Sequence, residues 1–282
     1  MIKGLDISAV QEGVDFDWLV NQGFQFVVIR CGVGNEGVDG LYKKNVAEAK
    51  AAGMKVMAYH FVYPLPSDPS HTSRDPVAQA QAHFKAANGE LAAIDVEWPE
   101  PQDWKKWNVD ANFIKQWINS YLDEYTRLSG GKKPLFYTYP NYAKLIKFDV
   151  NVSQYPLWIA SYLQTPEIPA PWSDYYMWQT GGGDKLTLPN GIKTDTDVVK
   201  DFSYWESSSN QETPPVSPPQ EVATAATQTK TSQTTDLPSA QDVEQHLKQD
   251  SNIIVKKEFE SGTSGILDVL FRLIKILFPF IK

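Results

Sequence analysis

The sequence predicts an α/β protein built as an irregular, TIM-like β/α barrel. Three observations lead to this fold class. Short apolar, β-branched or aromatic runs bounded by turn residues recur along the first 205 residues. Segments with helical spacing separate the first five of these runs. All nine Trp lie between Trp18 and Trp205, which marks the part of the chain that can form a large core.

The strands and helices follow from these patterns in chain order. The predicted strands are 2–7, 24–31, 54–61, 91–97, 134–139, 156–161, 175–179 and 195–202. The predicted helices between the first five strands are 15–22, 41–52, 75–88 and 110–129. The last helix has the clearest signal, because Ile114, Ile118, Tyr121, Leu122 and Tyr125 share one face and Gly130 stands where a helix would end.

The second half of the barrel is expected to be less regular than the first. Alternating strands and helices imply parallel strands joined by crossover helices, and eight strands suffice to close a barrel. After the fifth strand only a short helix, about 140–147, fits the sequence. The connections 162–174 and 180–194 are rich in Pro and Gly and lack a helical period. We therefore expect five βα units followed by three strands with loops, with an open doubly wound sheet as the alternative.

The composition changes after residue 205, and this predicts three regions. Residues 1–205 form the barrel domain. Residues 206–239 have no aromatic residue and five Pro, so they cannot bury enough apolar area to offset chain entropy and are expected to be a disordered linker. Residues 240–282 form a helical C-terminal segment that ends in an amphipathic tail, 266–281.

The tail is apolar enough to resemble a transmembrane helix, but the placement of its charges and its short length favour an interfacial helix. Asp268, Arg272 and Lys275 fall on one helical stripe, and apolar residues cover the rest. A helix from Ile266 to Phe278 would span only about 20 Å, whereas a hydrocarbon core is about 30 Å thick. Residues 266–282 could therefore contact a membrane surface as an interfacial helix. The alternative is that the apolar face packs against the barrel domain or a second copy of the chain.

The net charge argues against nucleic acid as a partner, and the single cysteine and the N-terminal sequence bear on the cellular compartment. The net charge is −8, and Lys and Arg form no run longer than two, so nucleic acid is not expected as a partner. The single Cys31 can form no internal disulfide. The N-terminal "MIKGLDIS" lacks a charged leader followed by an apolar stretch, so we expect synthesis in a cytoplasm and another release route if the substrate lies outside the membrane.

Several acidic residues fall at predicted strand ends. Asp95 and Glu97 end the fourth strand, where residues two apart lie on one face about 7 Å apart. Asp6 ends the first strand, and Asp195 and Asp197 lie on the eighth, which would neighbour the first in a closed barrel. Like charges on one surface cost stability unless the surface is a site. Such a cluster suits either metal binding or glycoside hydrolysis, in which one carboxyl donates a proton while another stays ionised.

Aromatic residues favour the sugar interpretation. Their rings can pack on the C–H faces of sugars, although core packing explains many of them equally well. The candidates for substrate binding are Tyr59, His60, Phe61, Tyr137, Tyr139, Trp158, Tyr162, Trp178, Gln179 and Asp197. The four His are scattered without a metal-ligand spacing, so no metal and no cofactor are expected.

Eight short motifs in order resemble one enzyme family. They are "GLDIS..Q" at 4–11, "FVVIRCGVG" at 26–34, "AYHF" at 58–61, "AIDVEW" at 93–98, "FYTY" at 136–139, "PLWIASY" at 156–162, "MWQTGG" at 177–182 and "DTDVV" at 195–199. Over residues 1 to about 205 the chain resembles the glycoside hydrolase family 25 muramidases, lysozymes common in phages and bacteria, which share an irregular β/α barrel.

The resemblance implies cleavage of the β-1,4 bond between N-acetylmuramic acid and N-acetylglucosamine in the glycan strands of peptidoglycan. It also implies that Glu97 is the proton donor, Asp95 the second catalytic carboxylate, and Asp6 and Asp195 supporting acids. The choice of Asp195 over Asp197 rests on spacing to the apolar residues that follow.

The resemblance says nothing about the linker and the amphipathic tail, which stand where cell-wall-binding repeats would be expected. On the basis of the eight motifs, the sequence is interpreted as a phage endolysin-like muramidase. Two alternatives stay open: a non-catalytic glycan-binding barrel, and a virion-associated wall hydrolase docked through its C-terminal segment.

Overall fold

Strands and helices alternate along the chain much as the hydrophobic spacing predicts. The computed structural model describes residues 1–34, 38–67 and 74–209. In chain order its elements are β1 (Ile2–Ile7), α1 (Phe16–Asn21), β2 (Phe24–Val33), α2 (Tyr42–Ala51), β3 (Lys55–Phe61), α3 (Pro76–Ala87), β4 (Leu91–Asp95), α4 (Trp104–Trp107), α5 (Ala111–Leu128), β5 (Leu135–Thr138), α6 (Pro140–Ile146), β6 (Leu157–Ala160), β7 (Met177–Thr187), β8 (Lys193–Val199) and α7 (Ser203–Ser209).

The eight strands form a closed barrel in sequence order, which confirms the predicted barrel and excludes the open sheet. Strands β1 to β7 pair in parallel, whereas β8 is antiparallel to both β7 and β1. This reversal follows from the length of the connection, because the few residues between Thr187 and Lys193 allow a hairpin but no crossover. The irregular second half therefore ends in a strand that runs against the others.

Two element boundaries differ from the sequence prediction in ways that affect the site. Strand β7 continues to Thr187 through a region predicted to be a loop, because its far end pairs with β8 at Leu186↔Thr194. Strand β4 ends at Asp95, so Glu97 lies just beyond the strand. The short helix α4 was not predicted.

Side-chain caps explain where several helices begin. Asp15, Asp75 and Asp110 each precede a helix and accept a hydrogen bond from a backbone N–H of its first turn. Helix α3 also begins with Pro76, whose fixed φ suits the first helical position. Helix α5 buries Ile114, Ile118 and its other predicted apolar residues against the outside of the barrel, as predicted.

Alternation along each strand divides the core into an outer shell and a barrel interior. On β1, Leu5 and Ile7 pack in the outer shell beneath the helices, so Asp6 between them faces inward. The interior holds Phe26, Met57, Ala93, Leu135, Met177 and Val199, together with Trp205 from α7. The indole N–H of Trp205 donates to the carbonyl oxygen of Val56 at 3.1 Å. Helix α7 thereby packs under the amino-terminal ends of the parallel strands.

Helix α7 runs across the predicted domain boundary at residue 205. The remainder of the predicted linker, the helical segment 240–282 and its tail 266–281 lie outside the described residues, so they stay predictions. Within the described ranges, every helix is too short or too polar to cross a membrane.

Candidate active site

Four aspartates meet at the carboxyl end of the barrel. Asp6, Asp95, Asp195 and Asp197 are all buried, and strand alternation turns each of them inward. Asp6 pairs in register with Asp195 across the β1–β8 ladder. Asp95 lies between Phe61 and Tyr137 of the neighbouring strands. The fold therefore brings together the carboxyl groups that the sequence predicts to converge, although the strands that carry them are far apart in the chain.

The side-chain amide of Gln179 connects these carboxylates. Its Nε2 donates to Asp6 Oδ2 at 2.6 Å and to Asp195 Oδ2 at 3.4 Å. Its Oε1 accepts hydrogen bonds from the hydroxyl groups of Tyr137 at 3.1 Å and Tyr162 at 2.8 Å. Gln179 thus links Asp6 on β1 and Asp195 on β8 to Tyr137 on β5 and Tyr162 just after β6.

Asp197 lies one layer deeper than Asp195. It pairs in register with Gly4, below Asp6, and its side chain is only 1% exposed. The indole N–H of Trp158 donates to Asp197 Oδ1 at 2.8 Å. Burial raises the pKa of Asp197 well above its ordinary value, and the adjacent charges of Asp6 and Asp195 raise it further. Both causes favour the protonated form of Asp197 over the ionised form.

Glu97 is half-buried just past the end of β4, two residues after Asp95 at the carboxyl end of the barrel, and the open end of the barrel there is called the cleft below. Both carboxyl groups act on Tyr137 of the adjacent strand, whose pKa is raised well above its ordinary value. Burial is the largest cause, followed by the negative charge of Glu97, by Tyr162, and by the charges of Asp95 and Asp6. The hydroxyl group of Tyr137 therefore lies in the field of three carboxyl groups at once.

Most of the predicted aromatic candidates line or border this cleft. Tyr59, Tyr137 and Trp158 pack together inside the barrel, with ring centroids of Tyr137 and Trp158 4.5 Å apart. Tyr162 is 48% exposed at the rim. Phe61 lies beside Asp95, and the Tyr139 hydroxyl donates to Glu100 Oε1 at 2.6 Å. Of these rings, Tyr162 is the most exposed, whereas Tyr59, Tyr137 and Trp158 are buried.

Two predicted substrate-binding residues, His60 and Trp178, lie on the outer face of the barrel. His60 faces outward from β3 and stacks on His83 of α3 with ring centroids 5.0 Å apart. Burial lowers the pKa of His60 to about 3, so it stays neutral in the outer core. Trp178 packs in the outer shell and donates its indole N–H to the Ser161 carbonyl oxygen at 2.6 Å. Both alternate with inward neighbours on their strands, and exact strand phase was not assigned from the sequence.

One residue pair near the site was missed. Arg30 belongs to the inward set of β2, and its Nε lies 3.0 Å from Asp39 Oδ2, with both side chains buried. Burial lowers the pKa of Arg30, but Tyr59 and Asp39 outweigh it, and the net shift is upward. Asp39 also accepts hydrogen bonds from the backbone N–H groups of Ala9 and Leu41. Counting two-residue steps from inward-facing Phe26 along β2 would have placed Arg30 inside the barrel.

An aromatic cluster beside Glu97 was also missed as a group. The Trp98 ring lies edge-on to Tyr63 at 5.3 Å and to Trp107 at 6.1 Å. Tyr63 is fixed in turn by Gln79, which bonds its backbone N–H and carbonyl groups. Trp98 and Trp107 were visible as Trp residues, but their contact depends on helix α4, which the sequence does not predict.

The arrangement can separate carboxyl groups into different protonation states. Burial raises the pKa of Asp197, Asp6 and Asp195 accept hydrogen bonds from an amide, and Glu97 lies nearer to solvent. General acid catalysis requires such a difference between neighbouring acids. Within the described ranges, no three His, Cys, Asp or Glu residues are arranged to hold a metal ion.

Comparison with known proteins connects this site to a family of enzymes. Residues 5–183 match the family model of Glycosyl hydrolases family 25. The chain is similar to the autolytic lysozyme of Clostridium acetobutylicum, with 29% identity over 202 residues, which are 70% of this chain and 55% of that protein. The chain thus spans about half the length of this curated relative.

Solved structures show the same likeness. The muramidase from Trichobolus zukalii has 25% sequence identity and a TM-score of 0.59, and the match covers 71% of this chain and 94% of that one. The bacterial lysozyme from Streptomyces coelicolor shares the fold, with 20% identity, a TM-score of 0.61, and coverage of 71% of this chain and 92% of that one. The family match spans most of the barrel and includes Asp6, Asp95, Glu97 and Gln179; the chain belongs to Glycosyl hydrolases family 25.

Proposed function

We propose that the barrel is a muramidase that hydrolyses the β-1,4 bond between N-acetylmuramic acid and N-acetylglucosamine in peptidoglycan. The observation that carries this proposal is the placement of Glu97 and Asp95 in one aromatic cleft, beside acids that are fixed by Gln179. The family match and the muramidase likeness support the same reaction.

In the proposed reaction Glu97 acts as the general acid. It protonates the glycosidic oxygen as the bond from that oxygen to the anomeric carbon breaks, and a water oxygen then bonds to the same carbon. One proton of the water restores Glu97. Asp95 is ionised and either stabilises the positive charge that develops on the sugar or orients the N-acetyl group of the substrate.

The burial of the two groups supports this division of labour. Asp95 is buried between Phe61 and Tyr137, where it cannot move far, whereas half-buried Glu97 can reach a bond in the open cleft. Exposed Tyr162 and partly buried Trp98 and Tyr139 offer aromatic surface on which sugar rings can pack.

The test is a pair of matched substitutions on either side of β4. Glu97→Gln should lower the release of reducing ends from purified peptidoglycan by at least about a hundredfold, because the amide has no proton to donate. Glu90→Gln is the control, since Glu90 pairs with Lys50 just before β4 at the other end of the barrel. It should keep the parent activity. Retained activity in a folded Glu97→Gln protein would refute the proposed mechanism.

We also propose that the reaction serves lysis of a bacterial host by a phage. The support is the sequence resemblance to phage and bacterial lysozymes, together with a reaction that weakens the wall. A phage that carries the Glu97→Gln substitution should assemble particles but fail to lyse its host on time, and normal lysis would contradict this role.

A further inference from the structure

The side chain of Gln179 uses its full hydrogen-bonding capacity within the candidate site. A carboxamide offers two N–H donors and an oxygen with two lone pairs. The donors face Asp6 and Asp195, and the oxygen faces the hydroxyl groups of Tyr137 and Tyr162. Gln179 is 1% exposed, so it has no surface left with which to contact a substrate.

The orientation of this amide follows from its neighbours. The NH₂ end faces Asp6 and Asp195, whose carboxylate oxygens accept its hydrogen bonds. The oxygen must then face the tyrosines, and both hydroxyl groups must donate to it. The short 2.6 Å bond to Asp6 is of the charge-assisted kind, which is stronger than a bond between neutral groups.

We propose that Gln179 is a positioning residue that holds Asp6 ionised and commits the hydroxyl hydrogens of Tyr137 and Tyr162 to itself. This inference rests on the proposed function, and it replaces the role in substrate binding that the sequence suggests for Gln179. An ionised Asp6 keeps negative charge next to the cleft where positive charge develops on the sugar.

A layered arrangement supports this role. Asp197 lies one layer below Asp6, and Trp158 bonds one of its oxygens. Asp6 is thus flanked by a donor amide on one side and a buried carboxyl on the other. Burial and the neighbouring charge of Asp6 disfavour a charge on Asp197, whereas the N–H donor of Gln179 favours one on Asp6.

The first test compares Gln179→Met with Thr180→Val. Methionine has a similar length but no donor, so Asp6 loses its charge-assisted bond. Thr180 is the next residue of β7, and its hydroxyl bonds Thr196 on the outer face. Both substitutions remove hydrogen bonds from the same strand, but only Gln179→Met removes a donor to the carboxylates of Asp6 and Asp195.

We expect the two variants to differ in how their stability depends on pH. The deficit of Gln179→Met relative to the parent should be largest at neutral pH and shrink as the pH falls, because a protonated Asp6 no longer gains from the amide donor. The deficit of Thr180→Val should not change with pH. Urea unfolding at several pH values measures both. A deficit of Gln179→Met that is as flat as that of the control would overturn the proposal.

The second test measures kcat for peptidoglycan hydrolysis as a function of pH. Gln179→Met should move the acidic limb to higher pH by about one unit, a tenfold change in proton affinity, whereas Thr180→Val should leave the limb in place. An unshifted limb in an active Gln179→Met protein would count against the proposal. An inactive parent would instead contradict the proposed function, and the unfolding series would still decide whether Gln179 holds Asp6 ionised.

A third test needs no variant, so it applies even if Gln179→Met does not fold. In NMR spectra the side-chain NH₂ signals of Gln179 should exchange slowly with solvent and shift with pH in the acidic range, as Asp6 takes up its proton. Rapidly exchanging signals that do not respond to pH would show that the amide does not hold the carboxylate.

Discussion

Asp195 and Asp197 lie two residues apart on β8, but they have different surroundings. Asp195 is level with Asp6 and receives a bond from Gln179, whereas Asp197 lies deeper, next to Trp158. The family resemblance implies a supporting acid on this strand, and spacing along the chain favours Asp195 over Asp197 for that role. The antiparallel direction of β8 supplies a physical reason, since it places the earlier residue nearer the open end of the barrel.

This difference leads to a prediction for two amide substitutions. Asp197→Asn should keep activity, because a buried neutral carboxyl and an amide have nearly the same shape and Oδ1 still accepts from Trp158. Asp195→Asn should lower activity at least about tenfold, since it removes a charge beside the cleft. The rate of reducing-end release checks both. Equal losses in the two variants would contradict the depth assignment.

The raised pKa of Asp197 also determines the sign of a pH effect on stability. An acid with a pKa that is higher in the folded state than in the unfolded state costs stability as the pH rises above its ordinary value of about 3.9. Asp197→Asn lacks this cost. Its unfolding free energy should therefore gain on that of the parent as the pH increases from about 4 toward neutrality, which urea unfolding would measure.

Residue identity could be predicted better than side-chain direction. Asp95 and Glu97 stood out because two acids followed an apolar run, and the structure places both in the cleft. His60 and Trp178 were assigned to the cleft by type, yet each occupies an outward position. A one-residue error in strand phase moves a side chain to the opposite face, so type alone could not decide these two cases.

At the scale of elements, the loops after β1 and β2 depend on one buried ion pair. Asp39 bonds Arg30 and also the backbone N–H of Ala9, three residues after Asp6. The pair thus joins the loop that follows the Asp6 strand to the interior of the barrel. Loss of one partner is expected to cost more than in an exposed pair, because the remaining charge stays buried without compensation.

Removal of one partner should have a large effect on stability. Asp39→Ala leaves the buried Arg30 charge uncompensated and should lower the unfolding free energy by about 3 kcal/mol. The control is Glu48→Ala on α2, which breaks an exposed pair with Lys44 and should cost less than about 1 kcal/mol. Urea unfolding separates the two outcomes. Similar small losses would mean that the loops do not depend on the pair.

Elements with local signals could be predicted, whereas those set by tertiary pairing could not. Helix α5 was placed within one residue at each end, because its apolar face and the flanking Asp110 and Gly130 are visible in the sequence. The extension of β7 to Thr187 depends on pairing with β8, and glycines in that segment suggested a loop. Local propensity cannot reveal a partner strand.

At the scale of the whole molecule, closing the barrel assembles the site. Asp6 and Asp195 are separated by most of the chain, and they meet only because β8 pairs with β1. At the other end, α7 packs Trp205 against Phe26 with ring centroids 5.5 Å apart. The distribution of apolar runs predicted an eight-stranded barrel, but the direction of the last strand came from a short connection that only the structure reveals.

The central claim is that this barrel cleaves the bond on the reducing side of N-acetylmuramic acid with Glu97 as the proton donor. Its most direct test is mass spectrometry of borohydride-reduced products from purified peptidoglycan that was digested with the parent or with Glu97→Gln. We expect fragments that end in reduced N-acetylmuramic acid from the parent and almost none from the variant. Fragments that end in reduced N-acetylglucosamine, or equal yields from both proteins, would contradict the claim.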